Sequence, residues 1–197
     1  MARTRTFNTD EAVRAARDLF WERGYEATSL ADLEDATGLG RSSLYQAFGS
    51  KRGLYDAAVE HYLRHVIAPL IAPLEAPGAT RQDVAEYFRT LSERLSRQLG
   101  LGVGRGCLIL QTTSELAVRD AAAREVGRTY RERLLAAFIH ALTPPRGAGT
   151  DAARATRERR GQLLVGAVTA ILVTTRIDLK AALALCQATL AEVDAWA

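Results

Sequence analysis

The chain has 197 residues, with 26 Lys and Arg against 23 Asp and Glu and a formal net charge of +3. Hydrophobic residues make up 48% and charged residues 25%, a globular balance that excludes a disordered or fibrous chain. Two cysteines, Cys107 and Cys186, are too few for a disulfide framework. The segment up to Phe7 lacks the apolar core of a secretory signal, and the longest apolar stretch, 163–173, is shorter than the ~20 residues a bilayer span needs. The expectation is a cytoplasmic protein with no membrane partner.

In chain order, almost every segment reads as helix, with no run of period-2 alternation rich in β-branched residues. Asn8 followed by Glu11 is a capping-box pattern. Val13, Ala16, Leu19 and Phe20 follow at helical spacing, and Gly24 is a stop. Thr28 or Ser29 caps a second, short helix with Leu30, Leu33 and Ala36 inward, ended by Gly38. Gly38-Leu39-Gly40 leads into a third helix over 41–47, closed by Phe48-Gly49. Ser50 caps a fourth, striped by Leu54, Ala58, Tyr62 and Val66. Pro69 and Pro73 disturb that helix, and Ala76-Pro77-Gly78 breaks it, which sets a domain boundary in that stretch. Val84, Phe88, Leu91 and Leu95 mark the next helix. A glycine run (Gly100, Gly102, Gly104, Gly106) reads as a flexible connector. Helices follow over 107–117, 120–142, 154–175 and 178–196, with a loop at 143–149. The expected fold is all-α, with about nine helices.

Two short helices joined by a Gly-containing turn make a helix-turn-helix pattern, whose second helix enters the DNA major groove. Residues 1–66 hold nine basic and ten acidic residues, so that reading rests on where basic groups sit and not on net charge. Leu44 and Phe48 are four apart and point inward. Arg41, Ser42, Ser43, Tyr45 and Gln46 cover the remaining faces: Arg suits guanine O6/N7, Gln suits adenine N6/N7 and Ser suits either kind of base edge. Thr28, the Tyr45 hydroxyl and Lys51 are candidate phosphate donors, with the amides at the start of the fourth helix. Arg3 and Arg5 form a short arm that could reach a minor groove.

Residues 9–63 resemble the N-terminal domain of the TetR family of bacterial transcriptional regulators. The resemblance is carried by Ala15-Ala16-Arg17-Asp18-Leu19-Phe20, Arg23-Gly24-Tyr25-Glu26-Ala27-Thr28-Ser29-Leu30, Asp32-Leu33, Thr37-Gly38-Leu39-Gly40-Arg41-Ser42-Ser43-Leu44-Tyr45-Gln46-Ala47-Phe48 and Ser50-Lys51, in that order. It implies an all-α homodimer. Residues 1–50 would form the DNA-binding domain, helix 4 (about 51–70) would connect, and 51–197 would bind an effector and dimerise through the last two long helices. By similarity, Arg41, Ser42, Ser43 and Gln46 fall on recognition-helix positions, and Thr28, Tyr45 and Lys51 on positions that hold phosphates. Two positions depart from the family pattern: Glu34 stands where Ala is frequent, and Gly40 replaces the usual capping Ser of the recognition helix.

Tyr62, Phe88, Leu91, Cys107, Gln111, Tyr130 and Phe138 are candidate lining of an effector pocket between helices. Leu164, Val168, Leu172, Leu179, Leu183, Cys186 and Leu190 form an apolar seam that is a candidate dimer interface. Cys107 opens a helix near Arg105, a setting that favours thiolate, and it lies in an Arg-Gly-Cys-Leu segment similar to one in family members whose cysteine senses oxidants or electrophiles. His61 and His65 are four apart but have no third ligand at a recognisable spacing, so they read as a solvated helix face. Arg154, Arg157, Arg159 and Arg160 read likewise. The chain shows no nucleophile–base pair or carboxylate dyad, and the expectation is no enzyme activity, no cofactor and no metal. The leading reading is a homodimeric repressor released from a near-palindromic double-stranded operator by a small molecule. The alternatives are a redox- or electrophile-responsive repressor acting through Cys107, or a helical ligand- or partner-binding module without DNA.

Overall fold

The computed structural model describes residues 8–99, 104–144 and 149–196. Arg3, Arg5, Gly100, Gly102 and the 145–148 part of the loop lie outside the described residues. Those described hold helices and no strand, in two compact units, Met1–Val66 and Ile67–Ala197.

The first unit holds α1 (Thr9–Arg23), α2 (Leu30–Thr37), α3 (Arg41–Phe48) and α4 (Lys51–Tyr62). The Asn8 side chain caps α1, accepting from the amides of Asp10 and Glu11. Gly24 then stops the helix, its N–H donating to the Phe20 carbonyl. Ala12, Val13, Ala16 and Phe20 form one buried stripe, and α1 packs on α2 and α4. The Phe20 ring meets Tyr55 of α4 edge-on at 4.9 Å. Each fully buried Phe or Leu contributes roughly 1.5–3 kcal/mol, so Phe20, Leu33, Leu44 and Leu54 anchor all four helices to one small core. Ser29 is the N-cap of α2, in a reciprocal capping box with Asp32. Gly38 ends α2 in the left-handed region at φ 67°, which a β-carbon would disfavour.

After α4 the chain stays helical through a π-helical turn, Leu63–Ile67, into α5 (Ala68–Glu75). The disturbance expected around Pro69 takes the form of this π turn, and the helix ends where the Ala76-Pro77-Gly78 break was expected. Pro69 sits in the first turn of α5, directly after the π turn, where the regular i→i−4 ladder is already interrupted. Pro73 is tolerated near the end of α5, and the break comes only after Glu75. Counting α4, the π turn and α5 as one run, the described residues contain the expected nine helices.

The second unit holds α5, α6 (Arg81–Ser96), α7 (Leu108–Leu116), α8 (Ala121–Ala141), α9 (Asp151–Thr174) and α10 (Leu179–Ala195). α10 packs on α6 and α9, and α8 packs on α5, α7 and α9. Tyr87, Phe88 and Phe138 form the aromatic centre, with Tyr87 edge-on to both rings at 5.3 Å and Phe88 stacked on Phe138 at 6.0 Å. The Arg81 guanidinium donates to the Val193 and Asp194 carbonyls at 2.9 and 3.0 Å, and so satisfies acceptors that the end of α10 leaves open. The described part of the glycine run is no free connector. Gly104 and Gly106 are buried, and the Gly104 amide donates to the Thr175 carbonyl at 3.1 Å. Among the described residues, no helix is long and apolar enough to cross a membrane.

Candidate nucleic-acid interface

The exposed face of α3 follows from its anchoring. Leu44 is buried and Phe48 half-buried, which turns Arg41, Ser42, Tyr45 and Gln46 outward, with Ser43 half-exposed. Gly40 caps α3 without a side-chain hydrogen bond. Among the described residues, no side chain or carbonyl takes up the polar atoms of the Ser42, Ser43 or Gln46 side chains. They present donors and acceptors at hydrogen-bonding reach of an incoming ligand. The Arg41 guanidinium lies 5.7 Å from the centre of the Tyr45 ring, an arrangement that steadies both at one edge of the helix.

A second cluster flanks α3. Ser50 caps α4, its hydroxyl accepting from the Gly53 amide at 3.0 Å. Lys51 follows in the first turn, and its ammonium sits over the Tyr25 ring at 4.4 Å. A cation beside the positive end of a helix suits an anion such as a phosphate. Gly53 is what lets α3 and α4 meet this closely. A β-carbon there would stand 2.0 Å from the Phe48 carbonyl oxygen, a distance no substituted residue could hold without moving backbone. Sequence reasoning missed Gly53 and Tyr25 as supports. A glycine inside a helix, which costs about 1 kcal/mol relative to Ala, was the available signal for the first.

Thr28 is corrected. It is buried, and its hydroxyl donates to the Gly24 carbonyl at 2.6 Å. The carbonyl at the end of α1 claims the hydroxyl that the phosphate reading needed, while Ser29 takes the capping role. Arg23 reaches Asp32 at 2.7 Å and ties α1 to α2 beside that turn.

The expected effector set is scattered. Tyr62 packs in the first unit, edge-on to Trp21 at 4.9 Å. Phe88, Leu91 and Phe138 are closed core of the second unit. Tyr130 is buried and lines a cleft of about 480 Å³ among α7, α8 and α9, walled by Ile109, Leu110, Leu134 and Val168. Cys107 and Gln111 line a different cleft of about 280 Å³, with Leu172 and Arg176. Burial, then the neighbouring Tyr87 and Cys107, hold the Tyr130 phenol well above its usual pKa, and a hydrogen bond joins Tyr130 to Cys107.

The seam expected to face a second chain turns inward. Leu164, Val168, Leu172, Leu179 and Cys186 are buried within the second unit, and Leu183 and Leu190 are half-buried. The Cys186 thiol donates to the Phe88 carbonyl at 3.2 Å, and burial pushes its pKa up to about 11. The outward apolar residues of α9 and α10 are instead Leu163, 68% exposed, Val173 and Leu185. Leu163 and Leu185 line a surface groove of about 720 Å³ with Ala167, Ala188 and Trp196. Two further expectations of solvated faces fail: Arg157 and His61 are buried.

The family model described as "Bacterial regulatory proteins, tetR family" matches residues 12–58. The chain is 31% identical over 142 residues to YezE of Bacillus subtilis, an uncharacterized HTH-type transcriptional regulator, covering 72% of each chain. It is 30% identical over 128 residues to the HTH-type transcriptional repressor BdcR of Escherichia coli, covering 65% of this chain and 62% of that one. Among solved structures, it superposes with a TM-score of 0.69 and 31% identity on a cysteine-substituted form of CifR, a TetR family transcriptional regulator complexed with 26-base-pair double-strand operator DNA. That match covers 99% of this chain and 100% of the other.

Proposed function

Because the chain belongs to the TetR family of bacterial regulatory proteins, we propose that it is a homodimeric repressor that holds a near-palindromic operator and releases it when a small molecule binds. Membership makes it a DNA-binding transcriptional regulator and not an enzyme. The observation that carries the operator reading is the outer face of α3, where Arg41, Ser42 and Gln46 stand exposed and the Ser42 and Gln46 side chains have their polar atoms unclaimed among the described residues. On this reading Arg41, Ser42, Ser43 and Gln46 read base edges, and Tyr45, Lys51 and the first amides of α4 hold phosphates. Residues 1–50, with Lys51 and the first turn of α4, then carry the DNA contacts, and the rest of 51–197 carries effector binding and dimerisation.

The outward apolar patch of α9 and α10 supports the dimer. Leu163 and Leu185 are costly to leave in water, and a second copy of the same face would cover them. A dimer must hold its two α3 helices about 34–36 Å apart, or a multiple, to enter successive major grooves. The cleft among α7, α8 and α9 supports the effector reading, being concave and mostly apolar with a few polar groups. An effector releases DNA only by as much as it prefers the non-binding spacing over the binding one.

A second reading has one observation in its favour. Cys107 is buried but stands in the wall of its own cleft beside Gln111 and Arg176, so a small opening of that cleft would bring an oxidant or electrophile to the thiol. Operator occupancy, followed by fluorescence anisotropy while fractions of a small-molecule extract are added, separates these readings. Reversible release by a fraction that also raises the melting temperature of the DNA-free protein supports the effector. Release that a Cys107→Ser variant abolishes and a thiol reductant reverses supports the second. Occupancy unchanged by every fraction and by peroxide defeats both.

A further inference from the structure

In the first unit, the fold brings Asp10 to His61 and His65, a histidine pair far from it in sequence. Asp10 is in the first turn of α1, His61 is near the end of α4, and His65 is in the π-helical turn. Each offers one ligand atom, and these atoms all lie within 4.8 Å of one another. Asp10 Oδ1 is 3.8 Å from His61 Nε2, and the two imidazole rings lie 4.2 Å apart. His61 is buried, while Asp10 and His65 are exposed, so one ligand is fixed and the other two are able to turn toward it. We infer that Asp10, His61 and His65 form a binding site for a divalent cation of the zinc class, joining the start of α1 to the end of α4.

The donor set suits the ion. Two imidazole nitrogens and one carboxylate oxygen form a three-ligand set that leaves a fourth position to water. Ligands about 2.0–2.2 Å from a tetrahedral zinc ion lie roughly 3.3–3.6 Å apart, so the present spacing needs only side-chain rotation of Asp10 and His65. Burial, then the charge of Arg17 and the neighbouring His65, lower the His61 pKa against the opposing pull of Asp10.

Arg17 is a built-in competitor. Its guanidinium stands 3.2 Å from His61 Nδ1, so the neutral ring accepts there and carries its proton on Nε2. Coordination through Nε2 moves that proton to Nδ1 and displaces the guanidinium, which already donates twice to Asp18, at 3.0 and 2.6 Å. The other cation on this stretch, Arg64, is paired with Glu60 at 2.7 Å. Removing Arg17 is therefore expected to tighten the site.

The test uses the untagged full-length protein, stripped with a chelator and titrated with Zn²⁺ by calorimetry, with Co²⁺ visible spectra as a second readout. The expected result is one ion per chain and a rise in melting temperature on Zn²⁺ addition. Asp10→Asn and His65→Ala are surface changes that leave folding intact by circular dichroism. Each is expected to weaken binding by more than the roughly 10–100-fold typical of losing an outer-sphere partner. Arg17→Met is expected to strengthen it several-fold, and His140→Ala to leave it unchanged. Absence of Zn²⁺ binding, or binding that survives intact in both Asp10→Asn and His65→Ala, overturns the inference.

Discussion

Replacing Gly53 by Ala sets two opposing effects against each other. Intrinsic helix propensity favours Ala by about 1 kcal/mol. The new β-carbon, however, would stand 2.0 Å from the Phe48 carbonyl oxygen and 3.2 Å from its carbon. Both atoms are backbone, so no side-chain rotation relieves the overlap, and α3 and α4 must separate by an ångström or so. Forced overpacking typically costs 1–3 kcal/mol. A backbone obstacle belongs at the upper end, which leaves a net destabilisation of about 2 kcal/mol. The same displacement shifts Gln46 relative to Lys51, so operator affinity should fall beyond what lost stability explains. Urea denaturation followed by circular dichroism, with operator anisotropy at temperatures where both proteins are folded, measures the two effects. A Gly53→Ala protein that is about 1 kcal/mol more stable and binds operator unchanged would refute the close approach of α3 and α4.

Gln46→Ala should lower affinity for the preferred operator by about 1–3 kcal/mol and relax choice at particular base pairs, whereas Lys51→Ala should weaken all sequences alike and reduce the salt slope by about one; equal losses on every sequence would remove Gln46 as a reader. Leu163→Asp with Leu185→Asp should yield folded monomers in sedimentation velocity, and a dimer that survives would move the interface elsewhere. With its pKa at about 11, Cys186 should stay unmodified by a thiol reagent at pH 8 in the native protein and react once the chain is denatured. The Arg133 guanidinium, by hydrogen bond first and charge second, holds the Glu75 carboxyl below the usual carboxylate range. That pair stabilises above the unfolded-state pKa and loses its contribution as pH falls through the folded-state value. Both partners are more than a third exposed, so Glu75→Gln should cost at most about 1 kcal/mol near pH 7 and nothing in strong acid, as urea midpoints would show.

Local grammar was what the sequence made legible. Asn8, Gly24, Ser29, Gly38 and Ser50 punctuate the first unit because caps and left-handed turns demand those residue types. The outward set Arg41, Ser42, Tyr45 and Gln46 followed from placing Leu44 and Phe48 inward. The misreadings share a different cause. A helix's main apolar stripe faces its own core first, so the Leu164-to-Cys186 seam was taken by the second unit, and the surface left over is Leu163, Val173 and Leu185. Thr28 looked like a donor because nothing local revealed that the Gly24 carbonyl would claim its hydroxyl. Asp10 and His61 are brought together only by the packing of α1 on α4, which no spacing along the chain encodes.

The measurement that bears most directly on the central claim is selection from random duplex DNA by the purified protein, read by sequencing at several salt concentrations. A dimeric reader working through α3 should enrich a near-palindrome with half-sites one or more helical turns apart, and Gln46→Ala should blur particular positions of that motif. A folded protein, reduced and stripped of small molecules, that enriches no sequence at any salt concentration would contradict it.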